Sequence, residues 1–240
     1  MKTLLVLLAA QLACSSLHAQ SAATRSNVNV KTSGYNVMVN ITDKDGKPFV
    51  PDMEVQGTPF FKNDEWQHVN LATSNGKAFT NIKARINLHQ ATLHFMNAQG
   101  VEMYLEASEI SRIEIVDSAN PKQILHTFIK LTNTNKAGQV THQLYQVLAE
   151  GKVKLLCLLQ KKIQVYTQEY SKEVSRTFEE YGNYYVFAKN ELTAVKRKES
   201  FWQPILQDQW KAVQTYATGN NLGFKLYDDI AKLITYYNSL

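Results

Sequence analysis

The pattern of apolar and polar residues between positions 82 and 105 leaves few choices of fold. Over residues 82–88 the alternation has period two, which is typical of a strand with one buried face. A two-residue turn at 89–90 and a three-residue loop ending at Gly100, in the left-handed position that such loops favour, return the chain twice. All apolar residues of three consecutive strands then share one face, so the sequence predicts an antiparallel meander in one register.

The predicted register also defines a candidate binding row. It pairs Leu88 with Ala91, Ile86 with Leu93, Ala84 with Phe95, Phe95 with Met103, and Leu93 with Leu105. On the opposite face it places Arg85, His94 and Tyr104 in one line across the three strands. Such a row can hydrogen-bond an anionic or sugar-like ligand, with Tyr104 as a stacking surface. The alternative is a solvated ladder of side chains, or a face covered by the C-terminal helices.

Turn signals predict that β-rich structure occupies residues 35–199. Asp45-Gly46 and Asn75-Gly76 are typical of type I′ hairpin turns, in which both central residues have positive φ. A weaker signal at Glu150-Gly151 predicts a hairpin in which Leu148 faces Val153 and Leu144 faces Cys157. The run 155–159 is apolar at every position, so we expect that strand to be covered on both faces.

Residues 200–240 carry two helical patterns that can cover the sheet. Pro204 suits a first helical turn, the apolar residues Leu206, Trp210, Val213 and Ala217 follow at helical spacing, and Gly219 ends the pattern. Asp228 and Asp229 suit the start of a second helix, with Ile230, Leu233, Ile234 and Tyr237 as its apolar stripe. The predicted fold class is therefore α+β: an antiparallel β-rich body of hairpins with a short C-terminal helical pair packed on it.

The N-terminal residues 1–20 have the layout of a secretory signal peptide. Lys2 precedes an apolar stretch, and cleavage is expected after Ala19 or Gln20, ahead of a flexible lead-in over residues 21–34. Acylation of Cys14 would instead anchor the protein to a membrane, but Gln11 stands where a lipobox has an aliphatic residue, so we expect simple export. No later segment is long and apolar enough to span a bilayer, so we expect no transmembrane segment.

A second group of candidate binding residues lies in the aromatic stretch between positions 166 and 187. Tyr181 and Tyr185 represent it, because tyrosines offer stiff, amphipathic area at carbohydrate and protein interfaces. Packing of these rings against a sheet is the alternative. The mixed charge of the stretch is compatible with a helix or a long loop.

Motifs for catalysis, metals and cofactors are missing from the sequence: there is no phosphate-binding glycine loop, zinc-spaced Cys/His set, HExxH or GxSxG. Cys157 lies among leucines, which predicts a buried, protonated and inert thiol. Loss of Lys2 lowers the formal charge from +5 to +4, and the basic run 196–198 is interrupted by Glu199, so we expect no nucleic-acid partner.

Three segments resemble a set of exported proteins of the Bacteroidetes to which no activity is attached. They are the signal ending in Ala-Gln, the segment 84–88 (Ala-Arg-Ile-Asn-Leu) and the segment 233–238 (Leu-Ile-Thr-Tyr-Tyr-Asn). The resemblance implies a location in the cell envelope, in the periplasm, at the outer-membrane surface or outside the cell, and it transfers no site residues. The sequence thus predicts a non-enzymatic envelope protein that binds another protein or scaffolds an assembly. The alternative is a binding module for carbohydrate or another small ligand.

Overall fold

The computed structural model describes residues 54–134, 138–168 and 174–240. The expected signal peptide, the lead-in over 21–34, Cys14 and the turn at Asp45-Gly46 lie outside these described residues. The strands are β1 (Val55–Gln56), β2 (Gln67–Thr73), β3 (Ala78–Asn87), β4 (Thr92–Met96), β5 (Glu102–Glu106), β6 (Ile110–Val116), β7 (Ile124–Thr134), β8 (Val140–Ala149), β9 (Lys154–Thr167), β10 (Val174–Ala188) and β11 (Glu191–Ala194). The helices are α1 (Glu199–Trp202), α2 (Trp210–Gly219) and α3 (Tyr227–Ser239).

The strands form one mixed sheet in the order β1-β10-β9-β8-β7-β6-β2-β3-β4-β5, with β11 also paired to β10. Among the described strands the pairs are antiparallel except for β1, which runs parallel to β10 with Val55 opposite Arg176. The prediction of a β-rich body with a small helical part is confirmed, but the prediction of a purely antiparallel sheet is wrong. Hairpin turns impose antiparallel pairing, and β1 reaches β10 from a distant part of the chain, where no turn fixes its direction.

The predicted register of β3, β4 and β5 is confirmed. Ala84 lies opposite Phe95 and Phe95 opposite Met103, with the other apolar pairs in the same frame. Gly100 has a φ of +77°, the left-handed conformation that was expected of it. The ladder ends one pair earlier than expected, because the Leu88 amide donates instead to the carbonyl oxygen of Pro59 at 2.9 Å.

The turn at Asn75-Gly76 joins β2 to β3, as predicted, but it is not of type I′. Gly76 has a φ of +81°, whereas Asn75 is not among the residues with positive φ. The Asn75 side chain instead accepts a hydrogen bond from the Thr73 hydroxyl at 2.6 Å. The hairpin signal was therefore right, and the side-chain hydrogen bond selected another turn type.

The sheet curls until β9 reaches the end of β3. The Lys161 amide donates to the Leu88 carbonyl oxygen at 3.2 Å, and the buried Lys161 ammonium donates to the Phe60 carbonyl oxygen at 2.7 Å. This closure surrounds a first core that includes Val69, Ile86 and Phe128 and other side chains from β2 to β8. The concave face of β2–β5 is continuous with this core.

The C-terminal helices cover β8 and β9 and form a second core, as predicted. Trp202, Leu206 and Val213 are fully buried there, together with the stripe of Ile230, Leu233, Ile234 and Tyr237 on α3. The predicted helical pair is a set of three helices, because the residues around Pro204 form turns between α1 and α2 and do not begin a helix. Proline suits a first helical turn, but α1 has already ended two residues before it.

Strand β9 is covered on both faces, as predicted. Leu155 packs in the second core, while Leu156 and Leu158 pack with Tyr145 and Tyr185 on the other face. The mixed charge of the stretch 166–187 was compatible with a helix or a long loop, but among the described residues 166–167 end β9 and 174–187 lie in β10. Opposite charges pair across these two strands, with Glu179 opposite Lys162 and Glu180 opposite Lys161.

The predicted register of the β8–β9 hairpin is wrong. Gln146 lies opposite Cys157, a bulge occurs at Leu148, and Ala149 lies opposite Leu155. The expected pairs of Leu148 with Val153 and Leu144 with Cys157 therefore do not form. A four-residue loop, 150–153, replaces the predicted two-residue turn, because its Val153 turns into the second core and its backbone hydrogen-bonds a side chain of α3.

Candidate functional site

The structure brings Arg85, His94 and Tyr104 into one row. Arg85 lies opposite His94, and His94 lies opposite Tyr104. The rings of His94 and Tyr104 have centroids 6.1 Å apart. Tyr104 is 62 % exposed, whereas the side chains of Arg85 and His94 are 19 % and 17 % exposed. The row therefore meets solvent mainly at its β5 end.

Arg85 is held by aromatic residues that precede β2. Its guanidinium carbon lies 3.9 Å from the centroid of Phe60 and 4.4 Å from that of Trp66. One of its nitrogens also donates to the backbone oxygen of Asp64 at 3.1 Å. Cation–π contacts of this kind favour arginine over lysine, since the planar guanidinium stacks on the rings.

Glu102 completes this cluster and was missed by the sequence reasoning. A nitrogen of Arg85 donates to both carboxylate oxygens of Glu102, at 2.9 and 3.1 Å, and His94 Nδ1 lies 2.7 Å from one of them. The hydrogen bond from Arg85 and then that from His94 lower the pKa of Glu102 below its ordinary value. The polar groups of Arg85 and His94 are thus directed largely at protein partners, and ligand binding by the row stays a prediction.

Tyr181 and Tyr185 lie on the same face of β10, in different surroundings. Tyr185 packs on Tyr145, with ring centroids 5.6 Å apart. Tyr181 is more exposed; its hydroxyl donates to Glu179 at 2.9 Å and accepts from the Gln164 amide at 2.7 Å. In the described part of the chain no contact joins either tyrosine to the row on β3–β5. The two predicted groups of binding residues are therefore separate surfaces.

A cavity of about 560 Å³ opens on the concave face of β2–β5. The large apolar residues that line it are Leu71, Phe79, Ile82, Phe95, Met96 and Leu105. Leu71 belongs to the first core, and Ile82, Phe95 and Leu105 pack against that core, so the floor of the cavity is the core itself. At its mouth, Phe79 and Met96 are 44 % and 36 % exposed. The cavity is a built apolar concavity of the size typical of small-ligand sites, ~300–1,000 Å³.

Polar groups at the rim of this cavity come from two hairpin tips and from the turn after β5. Asn75 and Lys77 belong to the β2–β3 turn, Asn97 to the β4–β5 loop, and Glu109 to the 3-10 turn (Ala107–Glu109) after β5. The Asn97 side-chain oxygen accepts the amides of Gln99 and Val101, both at 2.9 Å. The rim amides therefore hold their own loops in place.

A larger concavity of about 710 Å³ lies beside α2 and α3. It includes the stacked pair Tyr216 and Tyr236, with ring centroids 3.9 Å apart, and the charged residues Asp228 and Lys232. Several of its lining residues pack against the second core, namely Leu148, Tyr216, Ala231 and Tyr236, but none of the lining residues is buried, so it is an open surface groove. The cavity on β2–β5 is the better enclosed site in spite of its smaller volume.

The signal for this cavity is present in the sequence. Phe79 and Met103 continue the apolar pattern of β3–β5 to the hairpin tips, where both side chains are exposed. These residues give the apolar face of β3–β5 more apolar surface than the first core buries. The volume and its opening depend on the curl of the sheet, which no local pattern defines.

The part of the chain that the structure describes contains one cysteine, Cys157, and no candidate metal site. Cys157 is buried, and burial raises the pKa of its thiol to about 11, as expected for an inert core residue. Across residues 54–134, 138–168 and 174–240, no group of three or more His, Cys, Asp and Glu side chains is placed to hold a metal ion. No helix within those ranges has the length and apolar character required to cross a membrane.

Comparison with protein-family models, with curated sequences and with solved structures gave no significant match.

Proposed function

We propose that this protein is an exported binding protein of the cell envelope that holds a small apolar ligand in the cavity on β2–β5. The observation that carries the proposal is the cavity, with its floor in the first core and with Phe79 and Met96 exposed at its mouth. Large apolar side chains around a preformed concavity mark interaction sites, because their exposure to water is unfavourable unless something covers them. Export rests on the signal-peptide pattern of residues 1–20.

A fluorescent probe tests this function directly. N-phenyl-1-naphthylamine is neutral and fluoresces strongly in apolar surroundings, so it should bind saturably and in a one-to-one ratio. Ala98 lines the cavity, and its neighbour Gln99 does not. Ala98→Trp should fill the cavity and weaken probe binding about tenfold or more, equivalent to ~1.4 kcal/mol.

Gln99→Trp is the matched control, since it adds the same ring to the same exposed loop outside the cavity. Both variants should keep the urea midpoint of the wild-type protein. Equal probe affinity in the two variants would show that the cavity is not the binding site.

Protein interaction through β5 is a second candidate function, favoured by the geometry of the sheet edge. In the described sheet β5 pairs with β4 alone. The Asn97 amide donates to the Val101 carbonyl oxygen at 3.0 Å, and antiparallel pairing alternates from there, so the backbone groups of Glu102 and Tyr104 point away from β4. An edge of this kind accepts an extended segment of another protein by strand addition.

Proline substitution tests the edge. Tyr104→Pro removes an outward N–H group without breaking a bond to β4, whereas Tyr104→Ala removes the ring and keeps the N–H group. If an envelope partner adds a strand here, its co-purification in stoichiometric amount should be lost with Tyr104→Pro and largely kept with Tyr104→Ala. Retention of the partner by the proline variant would exclude strand addition at β5.

A further inference from the structure

Lys77 is the distinctive charge at the cavity rim. It lines the cavity and is exposed. Among the described residues it takes part in none of the ion pairs. An ammonium group beside an apolar concavity complements a ligand that has one negative charge at the end of an apolar body.

The other charged residue that lines the cavity is Glu109, and a second ammonium, that of Lys130, lies near it. Glu109 uses a carboxylate oxygen to accept the Glu106 amide at 3.1 Å. The Lys130 ammonium donates a hydrogen bond to the carbonyl oxygen of Ser108, next to Glu109, at 2.9 Å. Lys77 is therefore the one positively charged residue in the described lining of the cavity.

We propose that the ligand is a free fatty acid, with its carboxylate at Lys77 and its alkyl chain in the cavity. The proposal rests on the proposed function of the cavity and adds the chemical class of its ligand. The one ammonium group of Lys77 can form an ion pair with the one carboxylate group of a fatty acid. The side-chain oxygens of Asn75 and Asn97 are used within their own turns, so the rim offers few acceptors for a sugar or another headgroup rich in hydroxyls.

The length of the alkyl chain gives the first test. Octanoate, decanoate and dodecanoate should each displace N-phenyl-1-naphthylamine from the full-length protein. Each added methylene that enters the cavity should tighten binding about fourfold, which is ~0.8 kcal/mol per buried methylene, and the gain should stop when the cavity is full. Displacement that does not depend on chain length would overturn the proposal.

The headgroup gives the second test. Lys77→Gln should weaken dodecanoate binding about two- to fivefold at low salt, the size of a solvent-exposed ion pair, and should leave dodecanol binding unchanged. Added salt should weaken dodecanoate binding to the wild-type protein and bring it closer to that of the variant. Lys83→Gln is the matched control, since Lys83 is exposed on β3 and does not line the cavity.

The outcomes separate this proposal from the function on which it rests. Equal affinity for dodecanol and dodecanoate, or no effect of Lys77→Gln, would overturn the fatty-acid assignment and leave an apolar ligand in the cavity. Failure of the probe and of all amphiphiles to bind would overturn both. A change of oligomeric state in Ala98→Trp, without any ligand binding, would identify the cavity as a contact between copies of the chain and would also overturn both.

Discussion

Asn238, near the end of α3, closes the loop between β8 and β9. Its side-chain oxygen accepts the Val153 amide at 3.0 Å, and its side-chain nitrogen donates to the carbonyl oxygens of Val153 at 2.7 Å and Glu150 at 3.2 Å. Gly151 lies beneath this side chain with a φ of +152°, and a Cβ atom added there would lie 2.7 Å from the Asn238 Cβ. The two residues should therefore depend on each other for stability, and a double-mutant cycle measures that dependence.

The magnitudes follow from these contacts. Asn238→Gly removes three hydrogen bonds of about 1 kcal/mol each and adds a helical glycine, so it should lower the free energy of unfolding by about 3–4 kcal/mol. Gly151→Ala introduces a collision and a strained backbone, so it should lower the free energy of unfolding by about 2–4 kcal/mol. In the double variant the collision is absent. Its free energy of unfolding should therefore fall by about 1–3 kcal/mol less than the sum of the two single-variant decreases.

Urea unfolding monitored by tryptophan fluorescence measures the cycle. A stabilising osmolyte at one concentration throughout keeps a folded baseline for every variant. Strictly additive losses would show that Asn238 does not contact Gly151 in solution. An unchanged unfolding energy in Asn238→Gly would refute the role of the three hydrogen bonds.

Two further predictions concern titratable groups. Because Arg85 and His94 lower the pKa of Glu102 in the folded protein, the unfolded chain takes up that proton more readily. The stability that this pairing adds is complete above the ordinary pKa of 4.5 and is lost as the pH falls through the pKa of Glu102 in the folded protein. The urea midpoint of Glu102→Gln should therefore fall less on acidification than that of the wild-type protein. Equal falls in the two proteins would contradict the pairing of Glu102 with Arg85 and His94. In a Cys14→Ser chain, Cys157 should resist iodoacetamide at about pH 8 until denaturant is added, because burial holds its thiol protonated; rapid labelling of the folded chain would show that it is accessible.

The register of β3–β5 was predictable from sequence because its causes are local. Alternation assigns the faces, and Gly100 fixes one of the turns. The same reasoning failed at β8–β9, where Asn238, far along the chain, selects a four-residue loop. A local turn signal cannot report a hydrogen bond from a distant helix.

The candidate site divides in the same way. The row of Arg85, His94 and Tyr104 follows from the register alone and was predicted. Glu102 bonds to Arg85 and His94 and lies on β5, two residues before Tyr104 on the same face, so a check of the diagonal neighbours of His94 would have found it. The cavity was missed because its volume depends on the curl of the sheet, which sums many small twists and has no signature in any one segment.

The contact of Lys161 with Leu88 and Phe60 makes the curled sheet a cylinder with a seam. Elsewhere neighbouring strands from β9 to β3 are joined by backbone ladders, interrupted only at single bulges. At the seam the described hydrogen bonds are those of the Lys161 amide and ammonium and that between a His89 ring nitrogen and the Lys161 carbonyl oxygen, 2.9 Å apart, beside a ring contact of His89 with Phe178. Few bonds hold the seam, so the first core should admit solvent there before its ladders separate. In native-state hydrogen exchange, the amide of Lys161 should therefore exchange by a local opening, ahead of the amides of β6 and β7.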